Sequence, residues 1–110
     1  MTQPQTRPRI LPAAASAPFE TRERCAIREL LNDRAEPETS LAEARVPPGV
    51  TTELHALDVA ERYIVTDGAG EIELAGAWSP LAAGDAALIP AGTPQRARNP
   101  GPGDLVFLCL

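Results

Sequence analysis

From residue 39 onward, hydrophobic residues occur in short runs separated by strong turn signals such as Pro47–Gly49 and Pro90–Gly92. The run Glu71–Leu74 alternates polar and apolar residues, as a half-buried strand does. Seven strands are predicted in this region: Leu41–Val46, Thr51–Leu57, Arg62–Thr66, Glu71–Ala75, Ala86–Ile89, Gln95–Asn99 and Leu105–Leu110. Short strands at turn spacing predict an all-β protein, built as an antiparallel sandwich or barrel.

The first 18 residues have a different character. They contain prolines at positions 4, 8, 12 and 18, too many for a helix, and too few apolar residues for a core strand. We expect residues 1–18 to form a flexible N-terminal arm and residues 19–110 to form one barrel domain. Thr21–Asn32 fits both a helical stripe and a strand-like alternation, and a strand is favoured. Trp78, between Gly76 and Pro80, is expected in a loop.

Composition narrows the possible classes of protein. The 110 residues correspond to one domain, which can bury a core without disulfides. Cys25 and Cys109 are far apart and lack any zinc-site spacing, so two reduced thiols are expected. The net charge of −5 offers no basic face for nucleic acid. No apolar stretch approaches the ~20 residues of a membrane span, and a cytoplasmic location is expected.

One spacing pattern contains the histidine of the chain. Gly49 is followed after five residues by His55, and Leu57, Glu61 and Gly68 then follow after one, three and six residues. Residues two apart on a strand share a face, so His55 and Leu57 are expected to point the same way. Gly68 is expected at a tight turn with positive φ.

A second spacing pattern begins at Gly84. Pro90, Gly92, Gln95 and Asn99 follow it after five, one, two and three residues. Pro90 and Gly92 are expected to form a turn that aims Gln95 into the barrel interior. Asn99 is expected to close the next turn through its side chain, and Gly84 to adopt a positive φ.

Together the two patterns resemble the two motifs of the cupin superfamily, over residues 49–99. The spacing agrees at every position, whereas residue type departs at two. Leu57 and Gln95 stand where cupins of the familiar kind have histidine. The resemblance implies a small antiparallel β-barrel of the jelly-roll type, a single-domain cupin of the conserved-barrel (cupin_2) kind.

The resemblance also implies a divalent metal ion (Mn, Fe, Ni or Zn) inside the barrel. Familiar cupins hold it with three histidines and one glutamate, so the metal ligands carried over to this chain are His55, Glu61 and Gln95. A glutamine amide oxygen is a weaker ligand than imidazole, and Leu57 cannot coordinate at all. Glu61 and Tyr63 are the candidate catalytic residues, as a base and a phenolic proton donor. For Tyr63, a place in the barrel wall is the commoner role.

Two functions remain open at this point. One is a metal-dependent enzyme that performs isomerase, decarboxylase or lyase chemistry on a small polar or anionic metabolite. The other is a barrel that binds a small-molecule ligand without turnover, which the two missing histidines favour. A third interpretation treats the barrel as a scaffold for dimerisation, with residues 1–18 on the partner subunit. A homodimer is expected, with no nucleic-acid or membrane partner.

Overall fold

In the described part of the chain, nine short strands form two antiparallel sheets that enclose a shared hydrophobic core. The computed structural model describes residues 8–21, 24–33 and 39–110. The strands are β1 (Phe19–Glu20), β2 (Ala26–Leu31), β3 (Leu41–Val46), β4 (Glu61–Asp67), β5 (Ala69–Leu74), β6 (Ala77–Ala82), β7 (Ala86–Ile89), β8 (Gln95–Arg98) and β9 (Leu105–Cys109). The all-β prediction is therefore confirmed.

The two sheets differ in size. The larger has the order β1-β2-β3-β9-β4-β7, and the smaller has the order β6-β5-β8. Strand alternation sends one set of side chains from each sheet into the core. Val65 and Leu105 come from the larger sheet, and Ile72 and Ala97 come from the smaller one. Strands β4, which carries Glu61 and Tyr63, and β8, which carries Gln95, thus lie in different sheets.

Most of the predicted strands are confirmed. Leu41–Val46 and Ala86–Ile89 are strands over the predicted residues, and four others differ from prediction only at their ends. The ambiguous segment Thr21–Asn32 contains β2, so the preference for a strand is confirmed. Gly68 and Gly84 have φ of 78° and 94°, as expected for their turns. At Gly68 a Cβ atom would lie 2.1 Å from the Asp104 carbonyl oxygen.

The predicted strand Thr51–Leu57 is wrong as a continuous strand. The segment pairs with β8 only at two isolated bridges, Thr51 with Arg98 and His55 with Gln95. From Thr51 to His55 the segment advances four residues, while β8 advances three residues between Arg98 and Gln95. The segment therefore contains one extra residue, as in a β-bulge. The Thr52 hydroxyl explains the interruption, because its Oγ1 accepts a hydrogen bond of 2.9 Å from the Ala97 N–H.

The prediction of a loop around Trp78 is also wrong. Trp78 lies on β6, which a two-residue turn at Ala75 and Gly76 joins to β5. Both turn residues have positive φ, at 50° and 87°, the backbone of a tight hairpin that matches strand twist. Pro80 does not break β6, because this strand is at the edge of its sheet, where a missing N–H is tolerated.

The N-terminal segment is only partly described. Residues 8–18 are largely exposed and include one 3₁₀ turn at Ala13–Ala15. Arg28 on β2 donates to Ser16 Oγ at 3.5 Å. Residues 1–7 lie outside the described residues, and the division into a flexible arm and a barrel domain stays a prediction. Within the described ranges, no helix is long and apolar enough to cross a membrane.

Charged side chains form a ladder on the outer face of the smaller sheet. Arg98 on β8 donates two hydrogen bonds to Glu71 on β5, at 2.9 and 3.2 Å, and Arg96 donates to Glu73 at 3.1 Å. The Arg98 guanidinium also stacks 3.9 Å from the centre of the Trp78 ring. The hydrogen bond from Arg98 holds the pKa of Glu71 below its ordinary value of 4.5.

Asn99 joins the end of β3 to the loop between β8 and β9 from a buried position. Its side-chain Nδ2 donates to the carbonyl oxygens of Val46 at 2.9 Å and Gly103 at 2.7 Å. Its Oδ1 accepts a hydrogen bond of 2.8 Å from the Gly101 N–H, which confirms the predicted side-chain closure of this turn. The residue is 1% exposed, so water cannot replace these three bonds.

We expect Asn99→Ala to lower the free energy of unfolding by about 3 kcal/mol, because it leaves buried backbone groups without partners. Urea denaturation of the purified protein measures this. Asn32→Ala is the matched control, since Asn32 is exposed, and it should change the unfolding free energy by less than about 0.5 kcal/mol. Equal effects of the two substitutions would contradict the structural role of Asn99.

The charged ladder predicts a response to acid. Because the folded pKa of Glu71 lies below 4.5, its pairing with Arg98 stabilises the fold above that pH and is lost as pH falls through the folded pKa. The fluorescence of Trp78 should change in this range, since Arg98 covers its ring. Glu71→Gln should abolish that transition, whereas Glu73→Gln should retain it. A transition that persists in Glu71→Gln would show that another group causes it.

Candidate functional site

The side chains singled out by the two sequence patterns line one cavity between the sheets. Its volume is about 630 Å³. The candidate site residues that line it are His55, Leu57, Glu61, Tyr63 and Gln95. His55 and Leu57 therefore face the same space, as their spacing predicted, although the backbone between Thr51 and His55 is bulged rather than regular.

Gln95 is the most deeply buried of the polar residues in this cavity. It is the first residue of β8 and is 2% exposed. Its Nε2 donates a hydrogen bond of 2.7 Å to Glu61 Oε1. Its Oε1 accepts a short hydrogen bond from the Tyr63 hydroxyl. The amide is thus engaged at both ends, which a buried amide requires.

Glu61 and Tyr63 reach Gln95 from the opposite sheet. They lie two residues apart on β4 and so share its inward face. Glu61 is half-buried, whereas Tyr63 is buried with its ring centre 4.5 Å from that of Phe107. Tyr63 therefore belongs to the barrel wall and also carries a polar group into the cavity. Its hydroxyl hydrogen points to Gln95, which leaves no proton directed at a bound molecule.

The bulge before His55 determines which residues of this segment face inward. Thr52 lines the cavity, and regular alternation would place Leu54 on the same side. The extra residue instead turns His55 inward, where its backbone exchanges hydrogen bonds of 3.0 and 2.8 Å with Gln95. Its ring Nδ1 lies 3.1 Å from the Glu53 carbonyl oxygen. A carbonyl only accepts, so Nδ1 carries a hydrogen in this arrangement.

The hydrogen bonds in the cavity differ from the donor set that the resemblance implied. In the described part of the chain, no three His, Cys, Asp or Glu side chains are grouped so that they could hold a metal ion. Gln95 presents its N–H to Glu61, and its amide oxygen is occupied by the Tyr63 hydroxyl. A metal ligand must direct a lone pair at the metal. Gln95 instead directs an N–H at the Glu61 carboxylate. A metal on His55, Glu61 and Gln95 stays a prediction.

Glu61 is the acidic side chain among the cavity-lining residues. Arg62 also lines the cavity, and it is exposed and lies on the opposite face of β4. Arg96 lines the cavity too, with its guanidinium hydrogen-bonded to Glu73 on the outer face of the smaller sheet. The two groups that are hydrogen-bonded in series to Glu61 are an amide and a phenol, and neither carries a positive charge.

The apolar part of the cavity was not predicted from the sequence. Leu57 was expected there only as a residue that cannot coordinate a metal, and neither Val59 nor Leu110 was singled out, although both line the cavity. Leu57 and Val59 are large apolar residues in a short loop, and this signal could have identified them. Trp78 stacks with Arg98 on the outer face of the smaller sheet.

Comparison with known proteins agrees with this architecture. The family model described as "Cupin domain" matches residues 42–110. An uncharacterised protein of Methanocaldococcus jannaschii is 36% identical over 95 residues, which cover 84% of this chain and 76% of that protein. The match spans most of both chains.

Two solved structures share the fold at lower identity. A predicted oxalate decarboxylase from Thermotoga maritima has a TM-score of 0.82 and 24% identity, and the match covers 92% of this chain and 96% of that one. A Cupin 2 conserved barrel domain protein from Salinispora arenicola has a TM-score of 0.73 and 22% identity, with 96% and 87% covered. The family match and the two-sheet architecture lead to the same conclusion: this chain belongs to the cupin superfamily.

Proposed function

We propose that this cupin binds a small molecule in its barrel by accepting hydrogen bonds from it at Glu61, without a metal ion between them. The observation that carries the proposal is the hydrogen-bonded chain from Tyr63 through Gln95 to Glu61. Two of its three members, Gln95 and Glu61, stand at positions that the family resemblance assigns to metal ligands. It ends on a half-buried carboxylate that lines the cavity.

The direction of these two hydrogen bonds determines which ligand groups Glu61 can bind. Tyr63 donates to Gln95, and Gln95 donates to one oxygen of Glu61. A carboxylate has about four acceptor positions, so the second oxygen of Glu61 still accepts from a molecule in the cavity. The fitting ligand groups are hydroxyls and amines, which donate. A carboxylate ligand would instead meet the like charge of Glu61.

Binding is favoured here over proton-transfer catalysis. A catalytic acid needs its proton within reach of the reacting atom, and the Tyr63 proton is held by Gln95. A metal-polarised carbonyl requires a donor set that the hydrogen bonds of Gln95 do not supply. Isomerase, decarboxylase or lyase chemistry at a metal is therefore the competing hypothesis that the experiments must separate. A homodimer and a cytoplasmic location stay predictions.

Titration with butylamine and with butyrate, followed by NMR, tests the charge preference. We expect butylamine to shift the signals of cavity residues and butyrate to bind at least about tenfold more weakly. Glu61→Gln should weaken butylamine binding about tenfold or more, because a hydrogen bond to a charged group contributes ~1.5–3 kcal/mol. Glu53→Gln is the matched control, since Glu53 is exposed and its side chain does not line the cavity. Tighter binding of butyrate would contradict the proposal.

A metal test separates binding from the competing enzyme hypothesis. We expect butylamine binding to be unchanged by chelator treatment and by added Mn²⁺ or Zn²⁺. Leu57→His should increase Zn²⁺ affinity, because it adds an imidazole beside His55 on the cavity wall. Calorimetry measures both. Ligand binding that requires Mn²⁺ or Zn²⁺ in the unmodified protein, and that His55→Ala removes, would overturn the metal-free proposal in favour of a metal centre.

A further inference from the structure

Large apolar side chains are exposed where the cavity opens to solvent. Leu57, Val59 and Leu110 are 38%, 59% and 43% exposed, and all three line the cavity. We call these three residues the apolar rim. Exposed leucines are common on protein surfaces when they occur singly. Three around one cavity that also contains buried polar groups are a feature of a binding site.

Apolar side chains also form part of the cavity wall. Ala44 and Phe107 are buried, and Ile27 and Cys109 are partly buried and pack against the core. Among the polar lining residues, Thr39, Ser40 and Arg62 are exposed, whereas Gln95 is 2% exposed. A molecule that enters would therefore meet apolar surface along its length and hydrogen-bonding groups at its inner end.

The size of the cavity matches a molecule longer than a small metabolite. Pockets of roughly 300–1,000 Å³ bury most of a drug-sized ligand. The cavity here measures about 630 Å³. A compact polar molecule hydrogen-bonded to Glu61 would leave the apolar rim in contact with water, whereas a ligand with an apolar body would cover it.

Backbone contacts hold the apolar rim in place. The Leu57 carbonyl oxygen accepts a hydrogen bond of 2.6 Å from the Gly92 N–H, in the turn that precedes Gln95. Leu57 is thus fixed to the turn that also positions Gln95 and its hydrogen bonds to Tyr63 and Glu61. Leu54 belongs to the same segment and is 50% exposed, but it does not line the cavity. Only one of two similar leucines is turned toward the ligand space.

We propose that the ligand of this barrel is an amphipathic molecule, with a hydroxyl or amine head at Glu61 and a hydrocarbon body along the apolar rim. This inference rests on the proposed function and names its ligand class. Head-group recognition alone would use only the inner end of the cavity. A hydrocarbon body would contact Leu57, Val59 and Leu110, for which the hydrogen bonds at Glu61 provide no role.

Calorimetric titration with butylamine, hexylamine and octylamine tests the inference. Each methylene that becomes buried should tighten binding by up to about fourfold. We expect octylamine to bind at least about tenfold more tightly than butylamine. Leu57→Ser and Val59→Ser should each weaken octylamine binding several-fold while butylamine binding stays the same. Leu54→Ser is the matched control and should change neither.

The possible results separate this inference from the proposed function. If butylamine and octylamine bind equally and both depend on Glu61, the amphipathic class is overturned and the proposed function stands. If neither amine binds, the proposed function itself fails. If Leu54→Ser weakens octylamine binding as much as Leu57→Ser does, octylamine adsorbs to the surface and the inference is overturned. Val59→Ser provides the same test should Leu57→Ser fail to fold.

Discussion

The pairing of residues 51–57 with strand β8 determines which side chains reach the cavity. Two bridges fix its ends, and one extra residue lies between them. Because strand side chains alternate, a shift of one residue exchanges the inward and outward sets. Without the extra residue, Leu54 would face the cavity and His55 would face solvent. The hydroxyl of Thr52 accommodates the shift by accepting the Ala97 N–H that the backbone leaves unpaired.

Gln95 connects the two sheets through their interior. It lies on β8 in the smaller sheet, whereas Glu61 and Tyr63 lie on β4 in the larger one. A buried amide must use both its donor and its acceptor, and these two neighbours supply one partner each. A histidine at the same position could serve a metal, but glutamine links a phenol to a carboxylate. Glutamine at this position therefore joins the two sheets by hydrogen bonds from both ends of its amide.

Much of the fold was predictable from the sequence because its turns carry explicit signals. Ala86–Ile89 is bounded by Gly84 and Pro90, so both ends of the strand were fixed correctly. The strand that contains Trp78 was not predicted, because a proline such as Pro80 normally interrupts a strand. It is tolerated here because the strand is at the edge of its sheet, which the local sequence does not reveal. Strand order is set by long-range pairing, which a local pattern does not contain.

The sequence predicted which of these residues face one cavity, but it did not predict the hydrogen bonds between them. Spacing within the two patterns was enough to place His55, Glu61 and Gln95 in one interior. The partners of Gln95 depend on how β4 and β8 face each other across two sheets, and no local pattern encodes that. The bulge before His55 was equally hidden, because it arises when a threonine hydroxyl replaces a backbone acceptor.

The proline within β6 has a consequence for self-association. An edge strand with an unbroken row of N–H and C=O groups can recruit a strand from another molecule and so start aggregation. β6 is at the edge of the smaller sheet, and Pro80 removes a donor near the middle of that row. Strand addition at this edge is therefore disfavoured. Main-chain pairing between copies is less hindered at the outer strands of the larger sheet, β1 and β7.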